Sequence, residues 1–136
     1  MSDALGAPLS QHGTRISLVL VFMRLVACIL LAAGLARACQ ILGITPDGKT
    51  FADLAPAWRA GATTLALADL FAAVGLWVGA GWGPVMWAVA MAIEVSMYTV
   101  FADVFGGEPL RVAVHVVLFC TFLLLTFLEW RRMRLD

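Results

Sequence analysis

Four apolar segments, each about as long as a bilayer is thick, occupy most of this chain of 136 residues. A membrane-spanning helix needs about 20 mostly apolar residues, and residues 16–41, 58–78, 82–101 and 110–130 each meet that requirement. Short connections with glycine and proline, which break helices, separate them. The pattern predicts an all-α, polytopic membrane protein, in which an antiparallel bundle of four transmembrane helices forms a single domain over residues 16–130.

Composition sets the other broad classes aside. The chain is 62% hydrophobic and 13% charged, whereas soluble domains carry about 25% charged residues. A soluble protein of this size leaves about a third of its unfolded-chain surface exposed, so an apolar soluble bundle is disfavoured. The net charge is zero, which offers no basic face to a nucleic acid. The cysteines (Cys28, Cys39 and Cys120) lack C-x-x-C spacing and are predicted to be small buried side chains.

Lysine and arginine near the span ends predict the orientation. Arg15 precedes the first span, and the last six residues, 131–136, contain three arginines. The third connection instead carries Asp103 and Glu108 against Arg111. We therefore expect a multi-pass protein of a bacterial inner membrane with a cytoplasmic tail at 1–15 and a basic cytoplasmic tail at 131–136. The first connection is less decisive, since its charges are mixed: Arg37, Lys49 and Arg59 beside Asp47 and Asp53.

The first span has a competing interpretation as a signal peptide. Residues 25–36 form an apolar run followed by "ARA", the kind of small-residue site at which leader peptidases cut. Arg37 would crowd that site, and the nearest preceding basic residue is Arg24. An uncleaved first helix is therefore favoured.

Each span holds one ionisable residue away from its ends: Arg24, Asp69, Glu94 and His115. Such groups are costly in lipid and usually face a partner or a cavity. At 1.5 Å rise per residue, Arg24 and Asp69 each lie about 13 Å from the cytoplasmic side. Glu94 and His115 lie about 18 and 22 Å from it. These depths predict two pairs, Arg24 with Asp69 and Glu94 with His115, and leave open a joined network of all four.

Helical spacing predicts which faces turn inward. Trp87, Met91, Glu94, Tyr98 and Phe101 follow the 3, 4 spacing of one helix face. Small residues flank Asp69 and form a packing ladder on the third helix: Ala62, Ala66 and Ala73, and then Ala88, Ala92 and Ser96. The predicted ligand-lining side chains are Trp87, Met91, Tyr98 and Phe119.

Structural roles compete with chemical ones at these positions. Arg24 could extend to the interface, and Glu94 with His115 could form a buried clasp rather than a proton path or a binding site. A single intramembrane histidine permits only one histidine ligand to haem, and no nucleophile–base motif accompanies it. No catalytic residue, metal site or cofactor is therefore predicted.

Two stretches carry a resemblance to a known family. "MRLVACILLAAGLARACQILG" resembles the first helix of DoxX-like four-helix membrane proteins, and "ADLFAAVGLWVGAGWGPVMWAVAMA" resembles their second hairpin. The chain is also similar to small four-span inner-membrane proteins of alphaproteobacteria that form a family of unknown function. The resemblance implies a four-helix fold and an association with quinone-linked redox complexes. Asp69 stands where the DoxX-like family commonly has Glu.

These features favour a non-catalytic accessory or interaction subunit of a membrane complex, which contacts lipid and either other membrane subunits or further copies of itself. One alternative is a small proton-coupled transporter that uses Glu94 and His115. The other is a quinone-contacting subunit of a redox complex, with the quinone near Trp87, Tyr98 and His115.

Overall fold

The computed structural model describes residues 17–44, 48 and 50–135. The predicted tail at 1–15 lies outside these residues. The regular structure in the described part of the chain is helical. It consists of α1 (Leu18–Ile41), a 3₁₀ turn (Phe51–Asp53), α2 (Pro56–Val78), α3 (Gly83–Thr99), the short α4 (Ala102–Phe105) and α5 (Pro109–Leu135).

Local chemistry accounts for where the helices begin and end. Ser17 Oγ accepts a hydrogen bond from the Leu20 N–H at the start of α1. Prolines stand in the first turns of α2 and α3, where the missing N–H costs little. α2 ends at Gly79, whose φ of 71° favours glycine. α5 continues past the predicted end at Trp130, so residues 131–135 of the predicted basic tail are helical.

Within the part of the chain that the structure describes, three helices are long and apolar enough to cross a membrane, judged by length and composition: α1, α2 and α5. These correspond to the first, second and fourth predicted spans. α3 has 17 residues and ends two residues before the predicted limit at Phe101.

α2 lies at the centre of the packing. It contains nine buried residues, and α1 and α3 pack against it. α5 contacts α1 and α3 but has no buried residue. Ala62, Ala66 and Ala73 are buried around Asp69 as the spacing predicts.

Two predictions about small side chains are wrong. The α3 ladder at Ala88, Ala92 and Ser96 is not buried, because α3 turns its 83, 87, 90, 94 and 97 positions towards its neighbours instead. The three cysteines are exposed rather than buried. They lie on outward faces of α1 and α5, where a bilayer would cover them.

α2 and α3 approach each other most closely beside the turn that joins them. A Cβ built on Gly83 would lie 2.6 Å from the Gly75 carbonyl carbon and 2.7 Å from the Leu76 nitrogen. Backbone therefore meets backbone at this point. Farther along the pair, a Cβ on Gly61 would instead meet the Met97 side chain, at 2.6 Å from Cε. A side chain occupies the space between the helices there.

The helix ends form two distinct ends of the molecule. At the terminal end, Ser17 Oγ donates a hydrogen bond to the Glu129 carboxylate, and the α2–α3 turn lies alongside, with Gly79 beside Leu20. The connection end comprises residues 42–55, as far as they are described, and residues 100–108. There the Trp58 and Phe105 rings meet edge to face, with centroids 5.0 Å apart.

Candidate functional site

A cavity of about 610 Å³ opens at the connection end between α1, α2, α3 and α5. Among the described residues, six lining side chains carry charged or titratable acid, base or imidazole groups, and three carry the aromatic rings of Trp, Tyr or Phe. They are Arg37, Asp69, Glu94, Glu108, Arg111 and His115, and Trp58, Tyr98 and Phe105. Ionisable groups in the apolar interior of a membrane protein usually mark functional sites.

Arg37 of α1 joins the carboxylates of two other helices. Its Nη1 bonds to Asp69 Oδ2 of α2, and its Nη2 lies 2.8 Å from Glu94 Oε1 of α3. The Arg37 side chain is 12% exposed and the Glu94 side chain 5%. A planar guanidinium with five N–H donors suits two carboxylates at once. Three helices are thus tied together by one cation.

The predicted partner of Asp69 is therefore wrong. Arg24 places its guanidinium over the Trp77 ring, 5.7 Å from the centroid, while Arg37 contacts Asp69. The predicted depths of Arg24 and Asp69 are counted from Arg15 and Val78, as if these two residues lay at the same height along the bundle. In the structure Gly79 lies beside Leu20. Counted from that level, Arg24 is about 6 Å deep and Asp69 about 15 Å deep.

Glu94 and His115 lie together, as their depths predict. Glu94 Oε2 is 3.0 Å from His115 Nε2, and His115 Nδ1 is 2.8 Å from the Arg111 carbonyl oxygen of the preceding turn. A carbonyl oxygen only accepts hydrogen bonds, so Nδ1 carries a hydrogen. The contact at Nε2 then needs a second proton, held either on the imidazole or on the carboxyl group. The Glu94–His115 contact is therefore a place where the two side chains can share one proton.

Arg111 stands at the mouth of the cavity and is held more loosely. Its side chain is 51% exposed, with Nη1 3.6 Å from Glu94 Oε1 and Nε 3.7 Å from Glu108 Oε2. Its guanidinium lies over the Tyr98 ring, 5.7 Å from the centroid. An exposed cation with long contacts is free to exchange partners, since such pairs contribute little stability.

Aromatic rings close the other side of the site. Trp87, which is 1% exposed, meets Phe119 and Phe122 edge to face at 5.4 and 5.6 Å, and Phe22 lies 6.5 Å away. These four residues form an aromatic plug between the charged cavity and the terminal end.

Most of the predicted ligand-lining set lies elsewhere. Tyr98 lines the cavity, whereas Trp87 and Phe119 belong to the aromatic plug and Met91 is in neither group. Of the four predicted polar residues, the cavity brings together Asp69, Glu94 and His115 and leaves out Arg24.

Sequence reasoning missed Arg37 as a member of the site because the residue sits four positions before the end of α1. A signal was nevertheless present. Val26, Ala27, Leu30 and Gly34 are buried, and Arg37 continues their 3, 4 spacing as the next member of the stripe. In the described part of the chain, no group of three or more His, Cys, Asp or Glu side chains is placed to hold a metal ion.

The model of a family of unknown function, DUF6163, matches residues 17–133. The chain belongs to this family. The match begins at Ser17, which caps α1, and includes every described residue of the cavity lining. No curated protein and no solved structure matches the chain.

Proposed function

We propose that this protein is a small proton-coupled carrier of the bacterial inner membrane, with its substrate site in the charged cavity. All four long helices cross the bilayer in this proposal. At 17 residues α3 reaches the lower limit for a spanning helix. It packs along α2, which is itself long and apolar enough to span.

The observation that carries the proposal is the contact between Glu94 Oε2 and His115 Nε2, which lie 3.0 Å apart and can share a proton. Both side chains line an open cavity of about 610 Å³, a size suited to a small molecule. A structural clasp needs no such space beside it. A titratable pair that is exposed to a substrate site can instead exchange its proton as the substrate enters.

The charge distribution supports an orientation. Arg131, Arg132 and Arg134 lie at the terminal end, where basic residues favour the cytoplasm. The cavity then opens away from the cytoplasm, and the aromatic plug separates it from the cytoplasmic side. This arrangement is one of the two states that alternating access requires.

Proteoliposomes test the proposal. Vesicles that enclose a pH-sensitive dye are exposed to pools of small metabolites, and the internal pH is followed. We expect at least one pool to drive proton movement with the wild-type protein but not with Glu94→Gln. Asp103→Asn, which removes an exposed carboxylate that does not line the cavity, serves as the control. The proposal would be refuted if Glu94→Gln moved protons as the wild type does. It would also be refuted if no pool caused proton movement with the wild-type protein.

An accessory subunit is the second candidate, because α5 has no buried residue along its 27 positions. A partner helix could cover its outward face. Native-level purification in mild detergent that yields only this chain would argue against it. The quinone-contacting alternative has less support, since Trp87 is enclosed in the aromatic plug, and the DoxX-like relationship stays a prediction.

A further inference from the structure

Resting on the proposed carrier function, we infer that the cavity takes an organic monocation with an aromatic or other apolar body, and that this cation displaces the Glu94–His115 proton. The charge balance of the lining, the aromatic wall of the cavity and the contacts of His115 favour this class of substrate and this exchanged ion.

Among the described residues, the charges facing the Glu94–His115 pair balance only while the proton is present. α1 contributes Arg37, α2 contributes Asp69, and the start of α5 contributes Arg111 next to Glu108. These two cations and two anions cancel. The Glu94–His115 pair adds no net charge with its proton and one negative charge without it. Loss of the proton therefore leaves a single uncompensated negative charge, which a monovalent cation neutralises and an anion worsens.

The wall of the cavity offers a second recognition element. Trp58, Phe105 and Tyr98 line it, and aromatic faces attract cations, most strongly where water is excluded. The Arg111 guanidinium already occupies such a position over Tyr98. Because that guanidinium is half exposed and its contacts to Glu94 and Glu108 are long, an incoming cation can take its place.

The apolar part of the cavity lining indicates that the bound cation has an apolar organic body. Residues without polar side chains, among them Leu30, Leu65 and Met97, contribute to the same cavity. An inorganic ion would leave this surface without a partner, whereas an organic body would cover it. The displaced proton leaves His115 through the cavity, which opens at the connection end.

Calorimetry on the full chain in lipid nanodiscs tests the inference with three soluble probes that share a phenyl ring. Benzyltrimethylammonium carries a fixed positive charge, benzyl alcohol is neutral, and benzenesulfonate is negative. We expect the cation to bind at least about tenfold more tightly than the other two. Titrations in two buffers of different ionisation enthalpy count the protons released. We expect about one per bound cation, because the probe itself cannot titrate.

Variants separate exchange from simple binding. Glu94→Gln and His115→Asn should each weaken cation binding and abolish proton release, while Asp103→Asn should match the wild type. Tighter binding of benzenesulfonate, equal binding of all three probes, no binding, or cation binding without proton release would each overturn the inference. Proton movement with an anionic or neutral metabolite pool in the proteoliposome assay would overturn it too, yet would leave the carrier proposal standing.

Discussion

The two ends of this molecule are built from the same helices but are filled in opposite ways. Towards the terminal end, Gly75 and Gly83 bring the backbones of α2 and α3 together, and the aromatic plug fills the remaining space. Towards the connection end, the Met97 side chain lies between α3 and Gly61, and a charged cavity of about 610 Å³ opens.

The difference shows how so small a membrane protein can keep an internal cavity. Lipid gives helices little hydrophobic reason to associate, so close packing and polar contacts hold them together. The terminal end relies on close packing and the connection end on ion pairs. Different interactions therefore stabilise the two ends, and substitutions can test each end separately.

The largest effect is expected for Arg37→Met at the connection end. The substitution leaves the buried carboxylates of Asp69 and Glu94 without their cation, and breaking a buried ion pair costs about 3–5 kcal/mol. Denaturant unfolding in detergent would measure the loss. Arg24→Met is the matched control, with an expected loss of about 0.5–1 kcal/mol from its exposed cation–π contact. Equal losses would mean that Arg37 does not hold this end together.

A rescue sharpens the same comparison. Adding Asp69→Asn to Arg37→Met removes one of the stranded charges, so part of the lost stability should return. If the double variant is less stable than Arg37→Met alone, Asp69 has a second partner that matters more than Arg37.

Gly83→Ala should destabilise the protein at the terminal end. The new Cβ would lie 2.6 Å from the Gly75 carbonyl carbon, and backbone cannot move aside as a side chain can. Overpacking of this kind costs about 1–3 kcal/mol. Gly81→Ala is the control, since a Cβ at that position would meet nothing within 4 Å. Comparison of the two thermal midpoints in detergent decides the matter, and a Gly83→Ala midpoint equal to that of Gly81→Ala would contradict the close contact.

A smaller effect is expected where α5 meets the start of α1. Ser17→Ala removes the hydroxyl that caps α1 and donates to Glu129, and loss of an N-cap side chain costs about 1 kcal/mol. Faster amide exchange at Val19 and Leu20 would report the fraying. Ser96→Ala should leave those amides unchanged, because its hydroxyl bonds within its own helix to the Ala92 carbonyl oxygen.

The smallest effect concerns the rim of the cavity. The Thr50 backbone N–H and hydroxyl both donate to Asp53, at 2.8 Å each, and they lower the pKa of Asp53 below its usual value. Because the pKa of Asp53 is lower in the folded than in the unfolded state, its ionised carboxylate stabilises the turn at pH values above the unfolded-state pKa of about 3.9. That stability is lost as the pH falls through the folded-state pKa. A carbon-13 titration of the Asp53 carboxyl would show the lower midpoint. Thr50→Ala should raise it only in part, since the backbone N–H remains.

The sequence was informative wherever periodicity or depth along one helix decided the outcome. The all-α class, the helix bounds to within a few residues and the burial of Asp69 and Glu94 follow from hydropathy and spacing. The Glu94–His115 contact also agrees with the predicted depths. The Arg24–Asp69 pair does not, because it required the relative height of α1 and α2, which depends on where Leu20 meets Gly79.

The aromatic residues show a second limit. Trp87 and Tyr98 share a face of α3, and spacing alone assigns them the same role. The structure places Trp87 in the aromatic plug and Tyr98 at the cavity, because the separation of the helices changes along their length. Side-chain pattern gives the direction in which a residue points, but the width of the space it enters depends on contacts elsewhere in the fold.

The contact between Gly75 and Gly83 has a mechanical consequence. Because backbone rests directly on backbone between these two glycines, the contact can act as a fulcrum for α2 and α3. Glu94 lies 11 residues from Gly83, a lever arm of about 17 Å. A rotation of about 5° at the fulcrum would carry Glu94 by about 1.5 Å over that arm, enough to break a hydrogen bond to Arg37 or His115. A close backbone contact near one end of the molecule thus influences the position of the charged groups in the cavity.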